Sequence, residues 1–140
     1  EAVSLWVQVD PASGRPAPLG TEFDRIYGTA AAGRAVSSKL ALGGPPPDAV
    51  VRPWPVRRAD LDVFGHVNNA VLWSLLEETI GPVGERRGVA EIEYPGPVDG
   101  GAVVEAHFVT GERHEAWIVE GGSVRCAARW TQAPTGSKPA

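Results

Sequence analysis

The ten residues Asp60-Leu61-Asp62-Val63-Phe64-Gly65-His66-Val67-Asn68-Asn69 constrain the chain more than any other stretch, because two carboxylates, a histidine and two amides stand directly before an apolar helical pattern. From Val67 onward Ala70, Val71, Leu72, Leu75, Leu76 and Ile80 recur at i, i+3 and i+4, which predicts one long helix with a single apolar face. The start of that helix would carry unpaired N–H donors and the positive end of its dipole, facing back toward Asp62 and His66. Such a terminus favours negative charge of the kind a carbonyl oxygen acquires under nucleophilic attack. The stretch reads as half of a reaction centre.

Beyond Gly84 four strand candidates follow, at about 89–94, 102–110, 115–120 and 123–131. Val124, Cys126, Ala128 and Trp130 alternate with Arg125 and Arg129, and Val104, Ala106 and Phe108 alternate with Glu105 and His107. Both patterns fit half-buried antiparallel strands, and Glu120-Gly121-Gly122-Ser123 supplies a tight hairpin between the last two. Residues 51–58 are expected to be extended, with Pro53 and Pro55 confining them to a sheet edge. One helix followed by an antiparallel meander gives an α+β layout in which the sheet must cover the helix to bury it.

Upstream, residues 5–9 read as a strand closed by the turn residues 10–14, and 21–31 as a short helix with acids in its first turn. Residues 34–42 are read as extended. Gly43-Gly44-Pro45-Pro46-Pro47 suits neither helix nor strand interior and is expected to be a linker.

Asp60-Leu61-Asp62, two residues, then His66-Val67-Asn68-Asn69 resembles the second hotdog domain of acyl-acyl-carrier-protein thioesterases. The looser spacing from Asp62 to Gly65 resembles the wider 4-hydroxybenzoyl-CoA thioesterase group of hotdog proteins. The resemblance implies a hotdog, an antiparallel sheet wrapped around one central helix. It also implies a division of the chain: 1–48 as the end of a preceding hotdog plus linker, 49–132 as a thioesterase-like hotdog, and 133–140 as a disordered tail. A lone hotdog leaves a sheet edge and a helix face open, so pairing with a second hotdog is expected, as a covalent neighbour or another copy.

The resemblance implies hydrolysis of a fatty acyl thioester linked to acyl carrier protein or coenzyme A, with no metal or other cofactor. Asp62 would attack the thioester or activate water, and its alternative is a loop acid bonded to backbone. His66 would polarise the carbonyl or orient Asp62, against a structural histidine bonding nearby backbone. The N–H groups around Gly65 and Val67 would hold the oxyanion, and Asn68 with Asn69 would touch substrate or cap the helix. Phe64 stands where the family pattern places an asparagine, and Pro97 and Val98 stand where it places glutamate and cysteine after Glu93-Tyr94. These departures leave two classes open, an enzyme relying on Asp62 and the helix terminus, and a non-catalytic hotdog that forms a dimer platform or binds acyl chains.

Glu77 and Glu78, about three helical turns past His66, read as a solvated face. His107 and His114 read as surface residues, and Cys126 as core. Arg52, Arg57, Arg58, Arg86 and Arg87 flank the motif and could meet an acidic carrier protein, or form a solvated rim.

A net charge of −4 and a pI near 5.3 argue against nucleic acid as a partner. Hydrophobic content of 43% over 140 residues suits one domain with a real core. No stretch approaches the roughly eighteen apolar residues of a membrane span. The beginning of the sequence shows no secretory pattern, so a cytoplasmic location is expected, and the lack of methionine at position 1 suggests that Glu1 is not the native start. A single cysteine excludes an internal disulfide and fits a reducing compartment.

Overall fold

The computed structural model describes the chain except residues 1, 3, 5–7, 9, 11, 14, 32–38, 81–86, 112 and 134–140. The expected strand at 5–9, the extended reading at 34–38 and the tail from 134 therefore lie largely or wholly outside the described residues. The chain falls into two compact units, Glu1–Lys39 and Leu40–Ala140.

In the first unit α1 (Thr21–Ala31) carries Glu22 and Asp24 in its first turn, where acids complement the helix dipole. The turn after Asp10 forms as expected: the Asp10 carboxylate accepts from the Ser13 N–H and hydroxyl at 2.7 and 2.8 Å. The Ser13 hydroxyl bond heads the influences that hold this carboxyl below its usual range.

The second unit contains β1 (Val50–Trp54), a one-turn 3-10 helix (Arg58–Asp60), α2 (Asn69–Leu72), α3 (Ser74–Ile80), β2 (Gly88–Glu93), β3 (Val104–Val109), β4 (His114–Glu120) and β5 (Ser123–Gln132). The five strands form one antiparallel sheet in the order β1-β3-β4-β5-β2. β1 is an edge, which accommodates Pro53 opposite Glu105. Gly121 and Gly122 take φ values of 54° and 80°, the conformation a two-residue hairpin between β4 and β5 requires.

The helical segment packs across β3, β4 and β5, so the layout is the α+β hotdog implied by the motif. Leu72, Leu75, Val98, Val104, Ala106, Phe108, Ala116, Ile118 and Cys126 form its main core, and Leu76, Ile80, Ala128 and Trp130 extend it. Glu77 and Glu78 face solvent, as the periodicity requires.

Three features depart from the sequence expectations. The single helix is interrupted at Trp73, where the Ser74 hydroxyl bonds back to the Val71 carbonyl at 2.6 Å, a contact that bends helices. A β-bulge sets Ile118 opposite Cys126 but Val119 opposite Val124, so Arg125 is looped out and the face of β5 inverts there. Val124 therefore packs with Trp117, Val119 and Ala127, away from Cys126. Lastly, the residues leading into the Gly/Pro linker form a packed strap. Leu42 joins the Trp117 cluster, Glu93 accepts the Ala41 and Leu42 N–H groups at 2.7 and 3.0 Å, and the Trp117 indole donates to the Gly43 carbonyl at 2.7 Å.

The two strand histidines are not surface residues. His114 is half-buried, its Nδ1 3.0 Å from the Thr79 carbonyl and its ring edge-on to Trp130, while His107 has a buried Nε2 with no hydrogen-bond partner among the described residues. Cys126 is core as expected, fully buried, with burial pushing its thiol up to about 12.

Candidate active site

The motif folds as a small closed loop in front of α2. Leu61 bridges to Val67, the Asp62 N–H donates to the His66 carbonyl at 2.8 Å, and the Gly65 N–H donates to the Asp62 carbonyl at 3.1 Å. Gly65 sits at φ +80°, a backbone state that costs other residues, and its carbonyl accepts from the Gly100 N–H at 2.9 Å. A Cβ at position 100 would lie 2.8 Å from the end of the Leu61 side chain and 3.2 Å from the Gly65 carbonyl, so a larger residue there requires Leu61 to shift.

Asp60 is the foundation of the loop. Its side chain is almost wholly withdrawn from solvent, 5% exposed, and accepts from the Arg57 N–H at 2.9 Å and the Arg57 guanidinium at 2.8 Å, while its carbonyl accepts from the Asn68 N–H at 2.8 Å. The Arg57 side-chain hydrogen bond, followed by the Arg57 backbone N–H, holds the Asp60 carboxyl below its ordinary value of 3.8. A carboxyl depressed in the folded state contributes stability that is present above its unfolded value and lost as pH falls through its folded value. Thermal melts from pH 7 downward are therefore expected to show Asp60→Asn with a lower midpoint than wild type at neutral pH. The gap should narrow as pH falls below about 3.8, where the unfolded carboxyl protonates, and close once pH passes below the depressed folded value. A gap independent of pH would contradict this role.

Asp62 spends one oxygen on the loop: Oδ1 accepts from the Phe64 N–H at 2.8 Å and the His66 N–H at 3.1 Å. This is the loop-acid arrangement that stood as the alternative for Asp62. Its Oδ2 has no hydrogen-bond partner among the described residues, and the residue lines a cavity of about 360 Å³. His66, half-buried, lines the same cavity and brings Nε2 to 3.4 Å from the Asp99 carboxylate. Asp99 carries no signal in the sequence, because the pairing arises from the bridge between His66 and Asp99 thirty-odd residues apart.

The expected oxyanion donors are corrected by the loop. The Gly65 N–H is taken by Asp62, the Val67 N–H by the Val98 carbonyl at 2.8 Å, and the Asn68 N–H by Asp60. A loop this tight needs those amides to close. The Asn68 side chain caps α2, accepting from the Ala70 N–H at 2.9 Å, the alternative weighed for it. The Asn69 N–H, first in α2, has no acceptor among the described residues, and Asn69 lines the cavity.

Leu72, Tyr94, Gly96, Pro97 and Val98 complete the wall. The Tyr94 hydroxyl donates to the Asn69 carbonyl at 3.3 Å. Burial, then the field of Cys126, pushes this phenol up to about 12, with the Trp73 indole pulling the other way, so it is a neutral donor at physiological pH. Tyr94 is visible in sequence only as the partner of Glu93, without a role. Phe64, in place of an amide, contributes nothing polar: it and Val63 stand at the loop tip, 80% and 94% exposed.

Of the basic residues near the motif, Arg57 is committed to Asp60 and Arg52 lies over the Phe108 ring at 5.7 Å; Arg58 and Arg87 are exposed, and Arg86 is outside the described residues. No helix among the described residues is long and apolar enough to cross a membrane.

Comparison with known proteins agrees with this fold. Residues 45–130 match the family described as acyl-ACP thioesterase C-terminal domain. An uncharacterized protein of Mycobacterium tuberculosis, found in two strains, is 27% identical over 125 residues, 80% of this chain and 50% of its own length. Among solved structures, a 12:0-ACP thioesterase from Umbellularia californica superposes with a TM-score of 0.67 at 21% identity, covering 91% of this chain and 53% of that one. A candidate oleoyl thioesterase from Lactobacillus plantarum gives 0.60 at 20% identity, covering 92% and 55%. At these identities the superpositions establish the hotdog fold alone. The chain spans about half the length of the relatives it matches.

Proposed function

Since this chain belongs to the acyl-ACP thioesterase C-terminal domain family, we propose that its cavity hydrolyses a fatty acyl thioester carried by acyl carrier protein or coenzyme A. The observation that carries the reading is the convergence of Asp62, His66 and Asn69 on one cavity whose remaining wall includes Leu72, Val98 and Tyr94. Polar groups on one side and apolar groups on the other suit a reacting carbonyl joined to an alkyl chain.

In this reading the unpartnered Asp62 oxygen accepts a proton from a water that attacks the thioester carbon, or attacks that carbon itself to form an acyl anhydride that a water then hydrolyses, releasing the acid and restoring the carboxylate. The Asn69 N–H takes the developing oxyanion, replacing the donors at Gly65, Val67 and Asn68 that the loop has consumed. His66, facing Asp99, orients the substrate carbonyl or the water. Collapse of the tetrahedral intermediate expels the thiolate, which leaves as carrier thiol once protonated. No metal or redox cofactor enters these steps.

An acidic carrier protein would dock on the exposed Arg58 and Arg87. A second hotdog would cover the β2 edge, a reading supported by a chain half the length of its relatives. The lone buried thiol suits a reducing cytoplasm.

A second reading, a non-catalytic hotdog that binds acyl chains or forms a platform, is favoured by Phe64, Pro97 and Val98 at positions where the family pattern carries polar groups. Hydrolysis of acyl-CoA and acyl carrier protein substrates of graded length, by wild type and Asp62→Asn, separates the two. Release by wild type that is lost in the variant supports the enzyme, whereas equal rates, or none in either, support the platform.

A further inference from the structure

Among the apolar residues that line the cavity, one differs from the rest. Leu72 and Val98 are 4% and 2% exposed and belong to the core cluster that also holds Leu75, Ile118 and Cys126. Tyr94 packs against the same cluster but is only partly buried, so its ring touches the core on one side and the cavity on the other. We propose that Tyr94 is the stop that sets how long an acyl chain the cavity accepts. This rests on the acyl thioester reading and deepens it by naming what determines substrate length.

The ring is lightly held. Its hydroxyl reaches the Asn69 carbonyl at 3.3 Å, long for an O–H···O bond, which is ordinarily 2.5–3.0 Å. Asn69 also lines the cavity and its N–H has no acceptor among the described residues, so the Tyr94 hydroxyl and the proposed oxyanion donor meet at one residue. Cys126, fully buried, belongs to the core cluster against which the Tyr94 ring packs. An alkyl chain that outgrows the space above the ring must displace Tyr94 toward Cys126 or leave methylenes in water. Discrimination against a single excess methylene in such a pocket is about tenfold or more.

Cys126 is the only cysteine in the chain and serves as a built-in reporter. N-ethylmaleimide labelling of the full chain, followed by mass spectrometry, should be slow in wild type and in Tyr94→Phe, which keeps the ring. It should be fast in Tyr94→Leu and Tyr94→Ala, and a hexadecanoyl-CoA thioether analogue should slow it again by filling the opened space. That protection distinguishes an enlarged cavity from an unfolded variant, whose thiol the analogue would not shield. In hydrolysis assays Tyr94→Leu should raise kcat/KM for chains just beyond the wild-type optimum by about tenfold per methylene, while Tyr94→Phe keeps the wild-type length preference. Labelling of Tyr94→Leu as slow as wild type, labelling that the analogue does not slow, or an unchanged length profile would each overturn the proposal. Should the chain hydrolyse no thioester at all, the catalytic reading fails by itself, and labelling with protection still decides what Tyr94 does.

Discussion

Asp62→Asn is expected to lower kcat for acyl thioester hydrolysis by about 10²–10⁴-fold, the usual worth of a positioned general base. The substitution isolates chemistry from architecture. The loop uses one oxygen of Asp62, Oδ1, to accept from Phe64 and His66, and the asparagine side chain keeps an oxygen able to do the same. What it removes is the charge and basicity of the other oxygen, which has no partner among the described residues. The variant should therefore melt close to wild type while losing turnover. Asp62→Ala would lose the loop bonds too, so its effect would mix the two contributions. A variant Asp62→Asn that hydrolyses within a few-fold of wild type would assign Asp62 a structural role only.

Leu75→Ala is expected to cost about 2–5 kcal/mol of stability, read from urea or thermal unfolding. Leu75 is fully buried in α3, inside the cluster that joins the helix to β3, β4 and Val98. Its truncation leaves a void between helix and sheet, where neighbours fixed by strand pairing collapse only partly. Domains of this size are stable by about 5–15 kcal/mol, so the change removes a large share of the total. Glu77→Ala on the solvent face of the same helix is the control and should shift stability by less than about 0.5 kcal/mol. A small effect of Leu75→Ala would mean that α3 does not anchor the sheet.

Local patterns in the sequence carry the elements, and tertiary contacts decide what they do. The alternation at Val104, Ala106 and Phe108 places β3 correctly, and Gly121-Gly122 marks the β4–β5 hairpin, because both signals are confined to neighbours in the chain. Val124 defeats the same reasoning: a bulge at Arg125 reverses the face of the strand, and nothing within β5 alone announces it. The strap at Leu42 is equally silent, since its partners Glu93 and Trp117 lie about fifty and seventy-five residues away.

The site divides along the same line. Asp62, His66 and Asn69 are visible because they cluster before a helical period, and the structure gathers them on one cavity. The amides of Gly65 and Val67, expected to bind an oxyanion, and of Asn68, expected to touch substrate or cap the helix, stand just before a helix, yet their acceptors are the carbonyls of Asp62, Val98 and Asp60. Two of those acceptors come from within the motif itself, whose acids read as chemistry until Asp60 is seen buried on Arg57. Asp99 and Tyr94 enter only through the packing of the segment after β2 against the loop.

The most direct test is a crystal structure with a non-hydrolysable thioether analogue of a fatty acyl-CoA. The account predicts the acyl carbonyl beside the Asp62 carboxylate and the Asn69 N–H, with the alkyl chain running over Leu72 and Val98 toward Tyr94. An analogue bound at the separate cleft formed by Arg52, Glu78 and Phe108, with the Asp62 cavity filled only by water, would contradict it.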